Sequence, residues 1–185
     1  MARPISVSIF AALIFAGAAL GDDFYHETDL VSDIPGLAAQ TDPNLVNPWG
    51  LVASGSSPFW VSDNGTGFST LYNGRGTPQS LVVTLDAPDP TGIIANSGSN
   101  FAGSRFIFAT ESGTIAAWTP GVAGNPAPDK VSGAAGSVYK GLAINPANDT
   151  LYAANFGLGR IDVFNSSFAP TTAPGGFIDP TLPAG

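Results

Sequence analysis

Hydrophobic and polar positions divide the chain into two unlike parts. From Ile5 to Leu20 the residues are mostly apolar, with Arg3 before the run, no acidic residue until Asp22, and small residues at Ala16, Gly17, Ala18, Ala19 and Gly21. A basic start, an apolar centre and a small-residue end make the pattern of a secretory signal peptide, and the run is shorter than the ~20 residues that span a bilayer. Residues 1–21 are expected to be removed on export. The mature chain from Asp22 is then secreted, extracellular or periplasmic, and has no membrane span.

After that segment the apolar residues come in short runs broken by Gly, Pro, Asn and Asp, and no stretch keeps a 3.6-residue period. Three runs align residue for residue: Trp49-Gly50-Leu51-Val52, Thr91-Gly92-Ile93-Ile94 and Lys140-Gly141-Leu142-Ala143. Their glycines are 42 and 49 residues apart, a spacing that belongs to repeat architectures. A second run follows each one, at Phe59–Asp63, Phe106–Thr110 and Leu151–Asn155, and then a Gly-containing turn and a third run, at Ser69–Tyr72, Ile115–Trp118 and Ile161–Phe164. β-Branched and aromatic residues favour strands, and Asn-Gly and Gly-x-Gly favour tight turns, so each repeat reads as a β-meander. Weaker fourth strands are predicted at Leu81–Leu85, Lys130–Ser132 and Phe177-Ile178.

Four antiparallel strands in about 45 residues make the blade of a β-propeller. The expected fold class is all-β, with repeats at about 44–86, 87–133 and 134–180 and a lone N-terminal strand at 28–34. Such a strand often completes the last blade of a closed ring. Three blades are fewer than the roughly four to eight that close one. The sequence therefore predicts part of a ring, such as half of a six-bladed one, or an oligomer closed by repeats from a second copy.

Leu30–Pro35, Thr41–Ala53 and Pro58–Val83, with Phe59-Trp60-Val61-Ser62-Asp63-Asn64-Gly65-Thr66-Gly67 inside the last, resemble a family of bacterial secreted proteins of uncharacterised function. Members of that family are similar to NHL-repeat propellers, and many carry a C-terminal exosortase-type sorting signal. The resemblance implies a propeller fold and an exported location, and it brings no catalytic residues.

Composition narrows the function. The chain has 6 basic and 14 acidic residues, a net charge of -8 and no Cys. No basic stripe is available for nucleic acid, and no thiolate for zinc or catalysis. His26 is the only histidine and stands near the expected mature N-terminus, without a second imidazole for a metal or a neighbouring triad. Gly-x-Gly-x-x-Gly before a helix, the Walker loop, His-Glu-x-x-His and Gly-x-Ser-x-Gly are all missing.

Asp42, Asn44, Asn47 and Trp49 surround the first Gly-hydrophobic run and are candidates for a binding site at one mouth of a propeller channel. Their competing role is to satisfy the turns around Pro43 and Pro48. Asp63, Glu111 and Asn155 are candidates for an axial Ca²⁺ in an alternative reading, a calcium-dependent hydrolase or lyase. Two of these, Asp63 and Asn155, occupy equivalent repeat positions, and the inner runs supply no distinctive acids. The favoured expectation is a non-enzymatic module without a cofactor that binds a protein, glycan or matrix partner, with self-association through open blade edges.

Overall fold

A computed structural model describes residues 26–55, 57–175 and 177, and the expected signal segment lies outside them. Among the described residues the fold is all-β; the sole helical element is a single 3₁₀ turn at Phe101–Gly103, and no helix is long and apolar enough to cross a membrane. A parallel pair, β1 (Val31–Ser32) and β2 (Gln40–Thr41), precedes three larger sheets. The N-terminal strand, expected within 28–34, is Val31–Ser32; it pairs with its own neighbour in sequence and joins none of the larger sheets.

The first large sheet is the antiparallel meander β3 (Pro48–Val52), β4 (Phe59–Asp63), β5 (Phe68–Tyr72) and β6 (Val83–Leu85). The second begins with β7 (Pro90–Ala95), β8 (Phe106–Thr110) and β9 (Thr114–Trp118). The chain then sends β10 (Pro126–Ala127) back to lie parallel to β6 before β11 (Asp129–Ser132) completes the second sheet beside β9. The third contains β12 (Tyr139–Ile144), β13 (Thr150–Asn155), β14 (Arg160–Asn165) and β15 (Pro170–Thr171). Its fourth strand is Pro170–Thr171 and not Phe177-Ile178: Phe177 sits in a bend, packed edge-on to Tyr152 at 5.8 Å, and Ile178 lies outside the described residues. None of the sheets closes on itself.

The sheets stack face to face with their first strands together, β3 against β7 and β7 against β12. Alternation along each strand supplies two apolar faces. In β4, Trp60 points to the second sheet, where it stacks on Phe106 at 3.8 Å and meets Trp118 at 4.9 Å. That interface buries Leu71, Val83, Leu85, Ile93, Phe108 and Ala116 as well. The second and third sheets enclose an equivalent layer built on Ile107, Ile115, Tyr139, Leu151 and Phe164, capped by Phe101 and Phe168. Burying an aliphatic or aromatic side chain is worth roughly 1.5–3 kcal/mol, so these two layers are the main source of cohesion between the sheets.

The repeated glycines mark where neighbouring inner strands touch. A Cβ on Gly50 would lie 2.5 Å from the Thr91 carbonyl oxygen, and one on Gly92 would lie 2.7 Å from the Leu142 nitrogen and 2.8 Å from Gly141 Cα. Main chain faces main chain there, so neither side can give way. At Gly141 the nearest atom is Ala154 Cβ, at 3.9 Å. Gly92→Ala is therefore expected to lower stability by about 1–3 kcal/mol or more, and Gly141→Ala to stay within about 0.5 kcal/mol. Urea denaturation of the two variants checks the contrast, which equal losses would contradict.

Candidate functional site

Each inner strand pairs through its first residue with the end of the second strand: Pro48 with Asp63, Pro90 with Thr110 and Tyr139 with Asn155. The turns that follow, at Asn64, Glu111 and Phe156, are thereby gathered at the end where the inner strands begin. Just after each pairing the register slips, between Pro48 and Leu51, between Pro90 and Ile93, and between Tyr139 and Gly141. A bulge re-aims the side chains within it. Here it frees Trp49, Thr91 and Lys140, the residues just before the three glycines, from the common facing pattern.

The result is a network spanning all three sheets. Asn47, held at φ 51 before β3, donates its amide to Asn64 Oδ1 at 2.9 Å. Asn64 Nδ2 donates to Glu111 Oε2 at 3.0 Å and to the Pro90 carbonyl at 3.3 Å. The other Glu111 oxygen pairs with the Lys140 ammonium, which stands 4.6 Å above the centre of the Trp49 ring. The hydrogen bond from Lys140, followed by that from Asn64, holds the Glu111 carboxyl below the usual glutamate range. Trp49 is 46% exposed, and the Lys140 and Glu111 side chains are about one third exposed. An ion pair this exposed adds about 0–1 kcal/mol and a cation–π contact on the order of 0.5–1 kcal/mol, so the network contributes more to a fixed surface than to stability. The surface offers an aromatic ring, amide groups, a cation and a carboxylate side by side.

Of the four channel-mouth candidates, Asn47 and Trp49 belong to this network. Asp42 and Asn44 shape the loop that leads to it. Asp42 is buried, accepts the Tyr72 hydroxyl at 2.8 Å through Oδ2 and caps its own turn by accepting the Asn44 N–H at 2.9 Å. The Asn44 carbonyl takes the Thr66 hydroxyl at 2.9 Å.

The three residues proposed for calcium belong to three different sheets or their turns and do not converge. Glu111 is in the network. Asn155 is buried among the Ser137 hydroxyl, Asp162 and the Val138 and Leu158 N–H groups. Asp63 has no hydrogen-bond partner on either oxygen. Among the described residues no group of three or more His, Cys, Asp or Glu is placed to hold a metal.

Asp63 is the most perturbed acid among the described residues. It lies fully buried on the face of the first sheet turned away from the second, beside Thr70, whose hydroxyl is also unpartnered. Burial raises its carboxyl from 3.8 to about 7; the Thr70 hydroxyl and N–H pull the other way, and the charge of Asp42 adds to the rise. The equivalent positions carry neutral residues, Thr110 and Asn155. In the third sheet an aspartate, Asp162, takes the place of Thr70, and there the sign reverses. Burial pushes its carboxyl up, but hydrogen bonds from Asn155, Tyr139 and Arg160 outweigh it and leave it below the normal value.

Lys140, and its pairing with Glu111 and Trp49, escapes a reading of the sequence because the bulge that aims it has no residue signature. One signal was present: the position before each repeated glycine carries Trp, Thr and Lys in turn, while the positions after it stay apolar.

No family model matches the chain. It is 34% and 32% identical, over 158 residues, to two uncharacterised proteins of Acanthamoeba polyphaga mimivirus; the alignments cover 75% of this chain and 41% and 38% of the relatives. The chain thus spans about two fifths of the length of the curated relatives it matches. Among solved structures it resembles a Kuenenia stuttgartiensis hydrazine synthase with a TM-score of 0.55 and 18% identity, over 75% of this chain and 38% of that one, a likeness of fold alone. A functionally unknown protein from Desulfotomaculum acetoxidans aligns at a TM-score of 0.48 and 14% identity over 69% of this chain.

The raised pKa of Asp63 makes stability depend on pH with a definite sign. The folded state holds a proton that the unfolded state releases above about 4, so this contribution is full at low pH, is lost as pH rises from about 4 to about 7, and is level above that. Asp63→Asn is expected to raise the melting temperature at pH 8 by several degrees, on the basis of about 2–4 °C per kcal/mol, and to change it little at pH 4.5. Calorimetry of both proteins across this range checks it. Parallel curves would show that Asp63 is charged throughout.

Proposed function

We propose that the three stacked meanders are successive blades of a β-propeller of the NHL-like exported kind, and that the molecule is a non-enzymatic binding module. The reading rests on one observation: the only polar side-chain network that links all three large sheets among the described residues surrounds a half-exposed tryptophan at the inner-strand ends. A catalytic centre would call for a group poised to attack or to move a proton in an accessible cleft. Here the acid displaced furthest, Asp63, is sealed inside; Asp129, raised by burial, lies away from the network and accepts the Thr114 hydroxyl; and the acid of the network, Glu111, is held ionised by Lys140 and Asn64. A ring face beside fixed amides and a carboxylate suits a polyhydroxylated ligand, which meets the aromatic with its apolar C–H face and the polar groups with its hydroxyls. The partner class favoured is a glycan, and the export expected from the N-terminal segment would bring the module to it. The chain's share of its longer relatives leaves room in them for further blades.

The test is binding of the full chain to an immobilised oligosaccharide panel, alongside Trp49→Ala and Glu111→Gln. Saturable binding to a subset of glycans is expected, at least tenfold weaker in both variants with unchanged melting temperatures. Binding that both variants retain, no binding at all, or release of new reducing ends would each overturn the reading.

A further inference from the structure

The two sheet interfaces inside the chain are repeats of each other, and the same positions recur on the faces left over. In the second sheet Ile93, Phe106, Phe108 and Trp118 face the first sheet and are buried to 9% exposure or less. In the third, Leu151, Ala153 and Phe164 fill the corresponding positions against the second sheet, with Leu142 packed beside them. The equivalent residues of the first sheet are Leu51, Phe59, Val61 and Tyr72. They line an open apolar groove of about 530 Å³ together with Pro48 and Trp49. Leu51 is 64% exposed there and Phe59 43%, whereas Val61 and Tyr72 are buried, and Leu30, Val31 and Leu45 line the groove beside them.

The third sheet bears the matching half along its inner strand, while its Tyr152, the counterpart of Trp60, packs against Phe177. Among the described residues, Gly141, the counterpart of Gly50 and Gly92, has no inner strand against it. The turn residue makes the same point. Asn64 reaches the Pro90 carbonyl of the next inner strand, and Glu111 reaches Lys140 of the one after it. Phe156, the third member of the series, is 75% exposed. Carried forward by one repeat, its counterpart contact is Pro48, and that of Gly141 is the main chain of Trp49–Leu51. Both lie on the wall of the groove. The residue at the third position is apolar where the first two are polar, and the groove that would receive it is apolar too.

We infer that the groove on the first sheet is a docking site for the third sheet of a second copy of this chain, with Phe156 of one copy over Pro48 of the other. The interface continues one already built twice within the molecule. It is heterologous, using different faces of the two copies, so it leads to a ring or an open chain of copies rather than to a symmetric pair. The inference stands on the recurring sheet contacts and does not depend on glycan binding.

The absence of cysteine makes the test direct. Full-length Pro48→Cys and Phe156→Cys proteins are mixed and treated with a short bis-maleimide. Cross-linking is expected in the mixture and not in either protein alone; a pairing of Pro48→Cys with Val122→Cys, an exposed loop position, serves as control. Sedimentation velocity should show concentration-dependent association, at least tenfold weaker for Leu51→Asp and for Phe156→Asp, whose exposed sites leave the fold intact. A monomer at all concentrations would overturn the inference. So would cross-linking of either protein with itself, or association indifferent to both aspartates, as the apolar N-terminal segment would produce.

Discussion

The approach of one inner-strand main chain to the next, at Gly50 and at Gly92, is the constraint on which the rest of the structure depends. Hydrophobic layers alone set sheets about 10 Å apart and leave their relative angle loose. With no side chain at the crossing point, the first strands come together while the outer strands diverge, and the wedge between them is filled by large residues. Trp60, Phe106 and Trp118 fill the first wedge; Tyr139, Phe101 and Phe168 fill the second. Small residues inside and aromatics farther out are thus two sides of one geometric requirement.

The same crossing creates the surface network. Because three inner strands converge, side chains before their glycines come within reach of each other even from sheets that are not neighbours in the stack. Trp49 on the first sheet meets Lys140 on the third. Thr91, between them, turns instead to structural use: it is buried and donates its hydroxyl to the Tyr139 carbonyl at 2.8 Å. One repeat position therefore serves a tie between strands in the middle sheet and an exposed aromatic–cation pair in the outer two.

The succession of strands was legible in the sequence because the alternation of apolar residues and the glycine turns are local signals. Phe59–Asp63 and Phe106–Thr110 form strands with the predicted bounds, and Leu151–Asn155 starts one residue earlier, at Thr150. The misses occur where pairing is long-range. Val31 and Ser32 join a strand only eight residues on, since Gln40 and Thr41 offer a closer edge than any distant sheet. Phe177 has the side chain of a strand residue, yet Pro170–Thr171 already occupies the edge of β14. At the site, Asn47 and Trp49 could be singled out from their flanking turns, whereas the partnership of Glu111 with Lys140 depends on a bulge and on the stacking of two sheets.

The short strand Pro126–Ala127 belongs by sequence to the second repeat and by hydrogen bonding to the first sheet, where it lies parallel to β6. Stacked repeats with contacts only between neighbours can melt one unit at a time, like beads leaving a string. A strand handed back across the boundary removes that freedom for the first two units. The first sheet is not finished until the chain has been made beyond residue 127, so on the ribosome its edge waits for nearly the whole of the second repeat, and the two sheets should form and fail as one cooperative block.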